Sequence, residues 1–207
     1  MTFKEFNFKD TLNQAIDDIG FKEPSPVQAD VIPHILAGKD LIAQVHIGTG
    51  KTAAFGLPVI QQMVGGKGIE ALILAPTIEL AVQVSDELFH FGEPAGLTTT
   101  TVYGGTPYDE QVERINQANI IVATPGRLQD LLQSKQITIN PAFVILDDAD
   151  QMLEMGLEEQ IKNIFKFLPA ERQTLIFSAT MPEEVKTLGE EVLNNPVSVD
   201  CSQRENI

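Results

Sequence analysis

The chain has 207 residues, 43% of them hydrophobic and 21% charged, which suits one globular domain with a core of ordinary size. Its 14 Lys and Arg stand against 29 Asp and Glu, a formal net charge of -15, so tight binding of a polyanion by the domain as a whole is disfavoured. No apolar run approaches bilayer-spanning length, the opening MTFKEFNFKD does not read as a secretory signal, and the single Cys201 excludes an internal disulfide framework and a cysteine-based zinc site. A reducing cytoplasm is the simplest setting.

Taken in chain order, Asp10–Ile19 comes first, a helix with Leu12, Ala15, Ile16 and Ile19 on one face. An apolar strand, Leu41–Val45, runs through a glycine loop into the helical stretch Thr52–Met63. Strand Ala71–Ala75 precedes helix Thr77–Phe91, which aligns Leu80, Val84, Leu88 and Phe91. Strand Thr100–Tyr103, helix Pro107–Gln117 and strands Ile120–Ala123 and Phe143–Leu146 follow. Helix Leu157–Leu168, strand Thr174–Phe177, helix Glu183–Leu193 and strand Val197–Val199 complete the chain. The strands are near-continuous apolar runs, as expected of strands covered on both faces. Strand and helix alternating at this spacing predict βαβ units and a three-layer α/β fold with a mostly parallel central sheet. In such folds sites lie at the carboxyl ends of the strands.

Gly48-Thr49-Gly50-Lys51-Thr52 falls at such an end. Glycines let the backbone turn tightly and aim N–H groups at phosphate oxygens, and the helix N-terminus adds a favourable dipole for an anion. Lys51 would neutralise the outer phosphates, and the Thr52 hydroxyl would ligate Mg²⁺. A glycine turn with an incidental lysine is the bland alternative, and the strand-loop-helix context disfavours it. Further on, strand Phe143–Leu146 ends in Asp147-Asp148-Ala149-Asp150. Asp147 is placed to hold Mg²⁺, and Asp148 to orient or deprotonate an attacking water. The competing reading is an acidic helix N-terminus, and both can hold for Asp150.

With these residues in view, the chain resembles the first core domain of the DEAD-box RNA helicases, a RecA-like P-loop NTPase domain. Asp147-Asp148-Ala149-Asp150 looks like the family's Asp-Glu-Ala-Asp signature with its glutamate shortened. Phe21 to Gln28 looks like the adenine-reading Q motif, with Phe3 as its upstream aromatic. Pro76–Ala81, Gly104-Gly105, Thr124–Arg127 and Ser178-Ala179-Thr180 stand in the family's order. The resemblance implies that Gln28 bonds the adenine edge, that Phe21 stacks on the ring, and that Gly48, Thr49, Gly50, Lys51 and Thr52 hold the phosphates of ATP. It implies Mg²⁺ at Asp147 and Thr52. It implies backbone contacts to RNA from Thr77, Gly105, Thr124, Gly126 and Arg127, with Ser178 and Thr180 coupling nucleotide to RNA. Each loop motif taken alone fits ordinary loop and helix-cap chemistry.

Four positions depart from the family. Asp148 replaces a catalytic glutamate, and a misplacement of roughly 1 Å can cost about 10²-fold in rate. Ile78 replaces an RNA-contacting arginine, and Val45 and Ile47 replace small or hydroxylated residues of the phosphate loop. An alternative reading is therefore a redesigned or degenerate P-loop scaffold, acting as a binding module or an unrelated catalyst. In it an apolar pocket of Val45, Ile47 and Ile78 would surround Asp148 or His46 as a base; His46 otherwise has no role. An ordinary P-loop ATPase of another class is disfavoured by the Q motif and Thr124–Arg127. The resemblance places a RecA-like domain over 1–200 and the start of an interdomain linker over 201–207. The arginine finger and the other half of the RNA channel belong to a second RecA-like domain. The expectation is weak adenine-nucleotide binding, little hydrolysis and no unwinding by this chain alone, and no membrane partner.

Overall fold

The computed structural model describes residues 1–46 and 48–202. Ile47 and residues 203–207 lie outside the described residues, and with them the Ile47 wall of the apolar pocket and most of the expected linker.

Seven strands form one sheet in the order β3-β4-β2-β5-β6-β1-β7, and every pair is parallel. They are β1 Leu41–Gln44, β2 Ala71–Leu74, β3 Thr99–Val102, β4 Ile120–Ala123, β5 Phe143–Leu146, β6 Gln173–Ser178 and β7 Val197–Asp200. All seven expected strands are present, within a residue or so at each end, and the sheet is wholly parallel. Nine α-helices join them among the described residues: α1 Asp10–Ile19, α2 Pro26–Leu36, α3 Lys51–Gln62, α4 Ile78–Gly92, α5 Tyr108–Asn116, α6 Pro125–Gln133, α7 Ala149–Glu154, α8 Glu158–Phe165 and α9 Glu183–Val192.

Side chains alternate across a strand, so strands β1, β2, β4, β5 and β6 each feed two cores. Ile73, Val122, Ile145 and Phe177 pack with α1 to α4 on one face, where Phe55 and Phe177 meet with centroids 5.4 Å apart. Leu72, Ile121, Val144 and Ile176 pack with α6 to α9 on the other. This double coverage is why the strands read as unbroken apolar runs.

Three helices were not read as helices from sequence. The start of α2 is set by a capping box: Ser25 Oγ accepts from the Gln28 N–H, and the Gln28 carboxamide accepts from the Ser25 N–H. Its buried Val27, Val31, Ile32 and Ile35 lie on one face, but Ala29 and Pro33 on the far side blur the apolar contrast, and Pro33 inside it reads as a breaker. Thr124 and Pro125 are the N-cap and first turn of α6, not a loop. α7 spans 6 residues, too few for a period to show.

Away from the site, Asp40 ties the sheet's last strands together. Its carboxylate, almost fully buried, accepts from Thr174 N–H (2.9 Å) on β6 and from Asn194 N–H (2.6 Å) ahead of β7. The buried Thr174 N–H loses its acceptor at ~1–3 kcal/mol, while the exposed Asn194 N–H can turn to water, so Asp40→Ala is expected to cost about 1–3 kcal/mol. Urea unfolding checks this; Asp40→Asn, which keeps one acceptor, is expected to lose less.

Candidate functional site

The chain crosses between strand and helix at the carboxyl end of every strand from β1 to β6, and the expected site residues cluster there. After β1 the loop turns through Gly48 (φ +86°) and Gly50 (φ +78°), backbone conformations that L side chains rarely adopt. Gly50 is the N-cap of α3, so Lys51 is the helix's first residue and Thr52 its second. Lys51 thus begins at the positive end of a helix dipole, an unfavourable place for a cation by itself. Two carboxylates from the end of β5 offset this: Lys51 Nζ lies 2.8 Å from Asp147 Oδ1 and 2.8 Å from Asp148 Oδ1. β1 and β5 are not neighbours, because β6 runs between them, so the long lysine side chain bridges one strand's width.

The electrostatics follow from burial. Desolvation works against the Lys51 ammonium, but the charges of Asp147 and Asp148 outweigh it and hold its pKa above the ordinary value. Burial, with the Asp148 charge, outweighs the pull of Lys51 and holds the Asp147 carboxyl up at about 6. Asp147 Oδ1 is buried with no hydrogen bond aligned on it. Its 2.8 Å contact with Lys51 is therefore an ion pair rather than a directed bond. Asp148 is the N-cap of α7 and sits in the left-handed region (φ 55°, ψ 52°), a conformation Asp tolerates better than longer side chains. The shortened acid suits this backbone.

The Q-motif residues reach the same loop. Gln28 is buried and donates from Nε2 to the Gly50 carbonyl (3.1 Å), while Ser25 Oγ donates to the Thr49 carbonyl (2.9 Å). Thr49 Oγ1 closes the turn onto the His46 carbonyl (2.9 Å). Phe21 is half-buried, stacked on Phe3 (6.1 Å, 17°) and tilted against Phe91 (6.3 Å). A cavity of about 180 Å³ is lined by Gly48, Lys51, Thr52, Asp147, Asp148 and Gln151, among others.

At the end of β6, Ser178 Oγ accepts from the Asp150 N–H (3.1 Å). Thr180 donates to the Asp150 carboxylate from both its N–H (3.1 Å) and its hydroxyl (2.7 Å). Burial pushes the Asp150 carboxyl up, but these donors and the Gln151 N–H hold it below the ordinary range. Sequence reasoning allowed Asp150 both a capping and a functional role but not these partners. The signal for them was the Ser178-Ala179-Thr180 triplet, whose hydroxyls can meet a backbone N–H and a carboxylate.

The remaining expected residues follow the carboxyl ends of β2, β3 and β4, strands that adjoin each other. Thr77 caps α4, accepting from Leu80 N–H (3.2 Å). Gly105 turns at φ +99°, and Thr124 and Gly126 open α6. The Arg127 guanidinium is directed inward. It donates to the Thr106 carbonyl (2.6 Å) and Gln111 Oε1 (3.0 Å) and lies 4.4 Å over the Tyr108 ring. Gln111, buried and also bonded to the Tyr103 carbonyl (2.7 Å), was missed in sequence; it anchors the Gly104-Gly105 turn.

The apolar pocket expected around Val45 and Ile78 is not formed by them. Val45 is 2% exposed in the core and donates its N–H to the Ser178 carbonyl (2.9 Å), as a continuation of β1. Ile78 points outward, 42% exposed in the first turn of α4. The two lie on different elements, one inside and one out, so they do not wall a common space.

The model of the DEAD/DEAH box helicase family matches residues 25–188, which hold Gln28, the phosphate loop, the acidic strand end and Ser178 to Thr180. The chain belongs to that family. It is 44% identical over 200 residues to the DEAD-box ATP-dependent RNA helicase RhpA of Helicobacter pylori, covering 96% of this chain and 41% of that protein. It is 44% identical over 208 residues to the DEAD-box ATP-dependent RNA helicase CshA of Streptococcus pneumoniae, covering 99% and 40%. The crystal structure of a DEAD box protein from the hyperthermophile Methanococcus jannaschii superposes with a TM-score of 0.95 at 36% identity, over 100% of this chain and 58% of that one. The fold is thus the family's RecA-like domain, and the chain spans about two fifths of the length of these curated relatives. Among the described residues no helix is long and apolar enough to cross a membrane.

The close seat of Gln28 under the phosphate loop sets a test of the local packing. A Cβ on Gly50 would stand 2.4 Å from Gln28 Nε2 at a positive φ, whereas one on Gly126 meets no atom within 4 Å. Gly50→Ala is expected to lower stability by about 1–3 kcal/mol, combining left-handed strain with the displaced amide. Gly126→Ala, in a helix, is expected to stay within about 1 kcal/mol of the parent or gain. Chemical denaturation of both variants reads the difference.

Proposed function

We propose that the chain is the ATP-binding first core domain of an ATP-dependent RNA helicase, occupying residues 1–200, with 201–207 leading towards a second RecA-like domain. The observation that carries this reading is the Lys51 ammonium held between Asp147 and Asp148 at the mouth of a glycine loop. A cation at a helix N-terminus, balanced by acids of its own, is a seat that a polyphosphate and its counter-cation can take over.

In this reading Gly48 to Thr52 bind the phosphates, with Lys51 released from its carboxylates to meet them. Mg²⁺ fits the residues present. Asp147 offers a buried oxygen with no aligned donor, Thr52 offers a hydroxyl, and among the described residues no group of three or more acids or histidines forms a metal cage. Mg²⁺ is commonly bound this way, by one or two protein oxygens plus phosphates and water. It would supply charge neutralisation on the phosphates. Asp148 is the acid placed to orient a water. The Gln28 carboxamide has two donors and two lone-pair sites. The capping box and Gly50 take one of each, leaving a donor and an acceptor, the pattern that reads adenine N7 and N6–H. Guanine, with an acceptor where adenine has its amino group, would face the amide oxygen with oxygen. Phe21 supplies the apolar face.

Thr77, Gly105, Thr124, Gly126 and Arg127 end adjoining strands, which supports one RNA-facing surface read through phosphate and sugar. Asp150, Ser178 and Thr180 link it to the nucleotide side. The RNA affinity of this domain alone is weak, given its net charge of -15 and Ile78 in place of an arginine. Hydrolysis by the domain alone is slight, since an arginine finger from a second domain contributes about 10³–10⁵ in rate. The setting is a reducing cytoplasm.

Thermal unfolding with nucleotide tests the site. At about 100 times its Kd a ligand stabilises by about 2.7 kcal/mol, so Mg²⁺–ATP is expected to raise the melting point and GTP to leave it nearly unchanged. Equal shifts with both, or none with ATP, would contradict the reading.

The raised Asp147 pKa adds a pH dependence. Its folded value, about 6, lies above the ordinary carboxylate value of 3.8, so the folded state holds this proton more tightly than the unfolded state. Its contribution to stability is therefore larger near pH 4 than at pH 7 and is lost as pH rises through about 6. The ionised form needed for Mg²⁺ follows the opposite trend. Mg²⁺-dependent ATP affinity is expected to fall as pH drops below about 6 in calorimetric titrations, and Asp147→Asn to remove that pH dependence.

A further inference from the structure

Helix α4 borders the candidate nucleotide site through a stripe that runs on beyond the Pro76–Ala81 motif. Leu80, Gln83, Val84 and Glu87 face the cavity of about 180 Å³ beside Lys51 and Asp147. Glu87, His90 and Phe91 face a second cavity of about 300 Å³ beside Phe21. Only Gly50 and Glu87 line both cavities, so they mark where the two meet. One end of the combined cleft is aromatic, with Phe21 and Phe91. The other carries Lys51, Thr52 and the two aspartates.

A nucleoside triphosphate laid along this cleft puts its base at the aromatic end and its phosphates at Lys51. The neutral sugar then spans the junction. Glu87 is half-buried there and makes no hydrogen bond or ion pair among the described residues. Its neighbours in the next turn, Val84, Leu88 and Phe91, are core residues, which fix the helix beneath it. A carboxylate is an acceptor only, and a sugar diol is the neutral group that offers it two donors side by side. A phosphate at this point would be repelled, and an apolar base edge would leave the charge unpaired. The charged groups nearest along the cleft, Lys51 and the two aspartates, already satisfy one another.

From this juxtaposition we propose that Glu87 accepts the ribose hydroxyls of the bound nucleotide and makes the site selective for ribonucleotides over deoxynucleotides. The proposal rests on the nucleotide reading above and extends it to a residue outside every motif of that reading. Glu87 is a specificity-determining residue here, and no step of hydrolysis passes through it.

Calorimetric titration of the whole chain with Mg²⁺ and ATP, 2′-deoxy-ATP or 3′-deoxy-ATP tests it. The parent is expected to bind ATP about 10-fold or more tightly than the deoxy nucleotides, the factor given by one hydrogen bond to a charged group. Glu87→Ala is expected to weaken ATP and leave the deoxy forms nearly unchanged, so that the ratio falls towards about 1. Glu87→Gln, which keeps an acceptor of the same length, should retain part of it, and guards against a fold defect in the alanine variant. Parent affinities that are equal for ATP and both deoxy forms overturn the proposal while leaving the nucleotide site intact. So does an alanine variant that keeps the parent ratio, or one that binds all three nucleotides more tightly by a common factor, which would mark Glu87 as a simple repulsive charge. If the parent binds none of the three, the nucleotide reading itself fails and this inference falls with it.

Discussion

The Lys51 ammonium, clasped by Asp147 and Asp148 across the width of β6, is the constraint around which the rest of the molecule is arranged. A lysine at the positive end of α3 and a carboxylate buried to 3% side-chain exposure are each unfavourable alone. Together they are tolerable, and the sheet must hold β1, β6 and β5 in register for them to meet. That register is set by apolar strands covered on both faces. The core therefore specifies the site's geometry, while the site contributes little net stability, as is usual for buried ion pairs measured against apolar packing.

The strand order separates two kinds of residue. Strands β1, β6 and β5 end in the glycine loop, Ser178 to Thr180 and the acidic run; strands β2, β4 and β3 end in Thr77, Thr124 and the Gly104-Gly105 turn. The two groups adjoin where β5 pairs with β2. Asp150 belongs to the first group, and its carboxylate accepts both bonds from Thr180. A ligand that draws Lys51 off Asp147 and Asp148 would act on the N-cap of α7, Asp148, and so on the Asp150 contacts two residues further on. These contacts run from Lys51 to the end of β6 and stay within the first group of strand ends.

Much of this was legible in the sequence because double-sided burial leaves unbroken apolar runs and because glycine, lysine and aspartate punctuate them at the strand ends. All seven strands could be read this way. What escaped was of two kinds. Helix α2 buries one face, but its far side carries Pro26, Ala29 and Pro33, so the apolar contrast is weak and the internal proline reads as a breaker; only its Ser25-to-Gln28 capping box marked its start. Tertiary polar contacts escaped as well. Asp150 with Thr180, Gln111 with Arg127 and Glu87 at the cavity junction all depend on elements brought together by the fold, and local spacing does not encode them. The supposed apolar pocket failed for a simple reason. A strand's terminal residue and a helix's first turn can be apolar for unrelated causes, one packing inward and one standing in solvent.

Of the departures from the family pattern, Asp148 has a structural counterpart in its left-handed backbone, and Val45 in its place in the core; nothing in the structure explains Ile78. The central claim is that the lysine and its two acids form a seat for an anion with its metal. A crystal structure with Mg²⁺ and a non-hydrolysable ATP analogue tests it directly. The account predicts phosphate oxygens against the N-terminus of α3, Lys51 drawn onto them, and the metal between the phosphates and the Asp147 side. Lys51 still locked to both aspartates, with the analogue bound elsewhere or not at all, would contradict it.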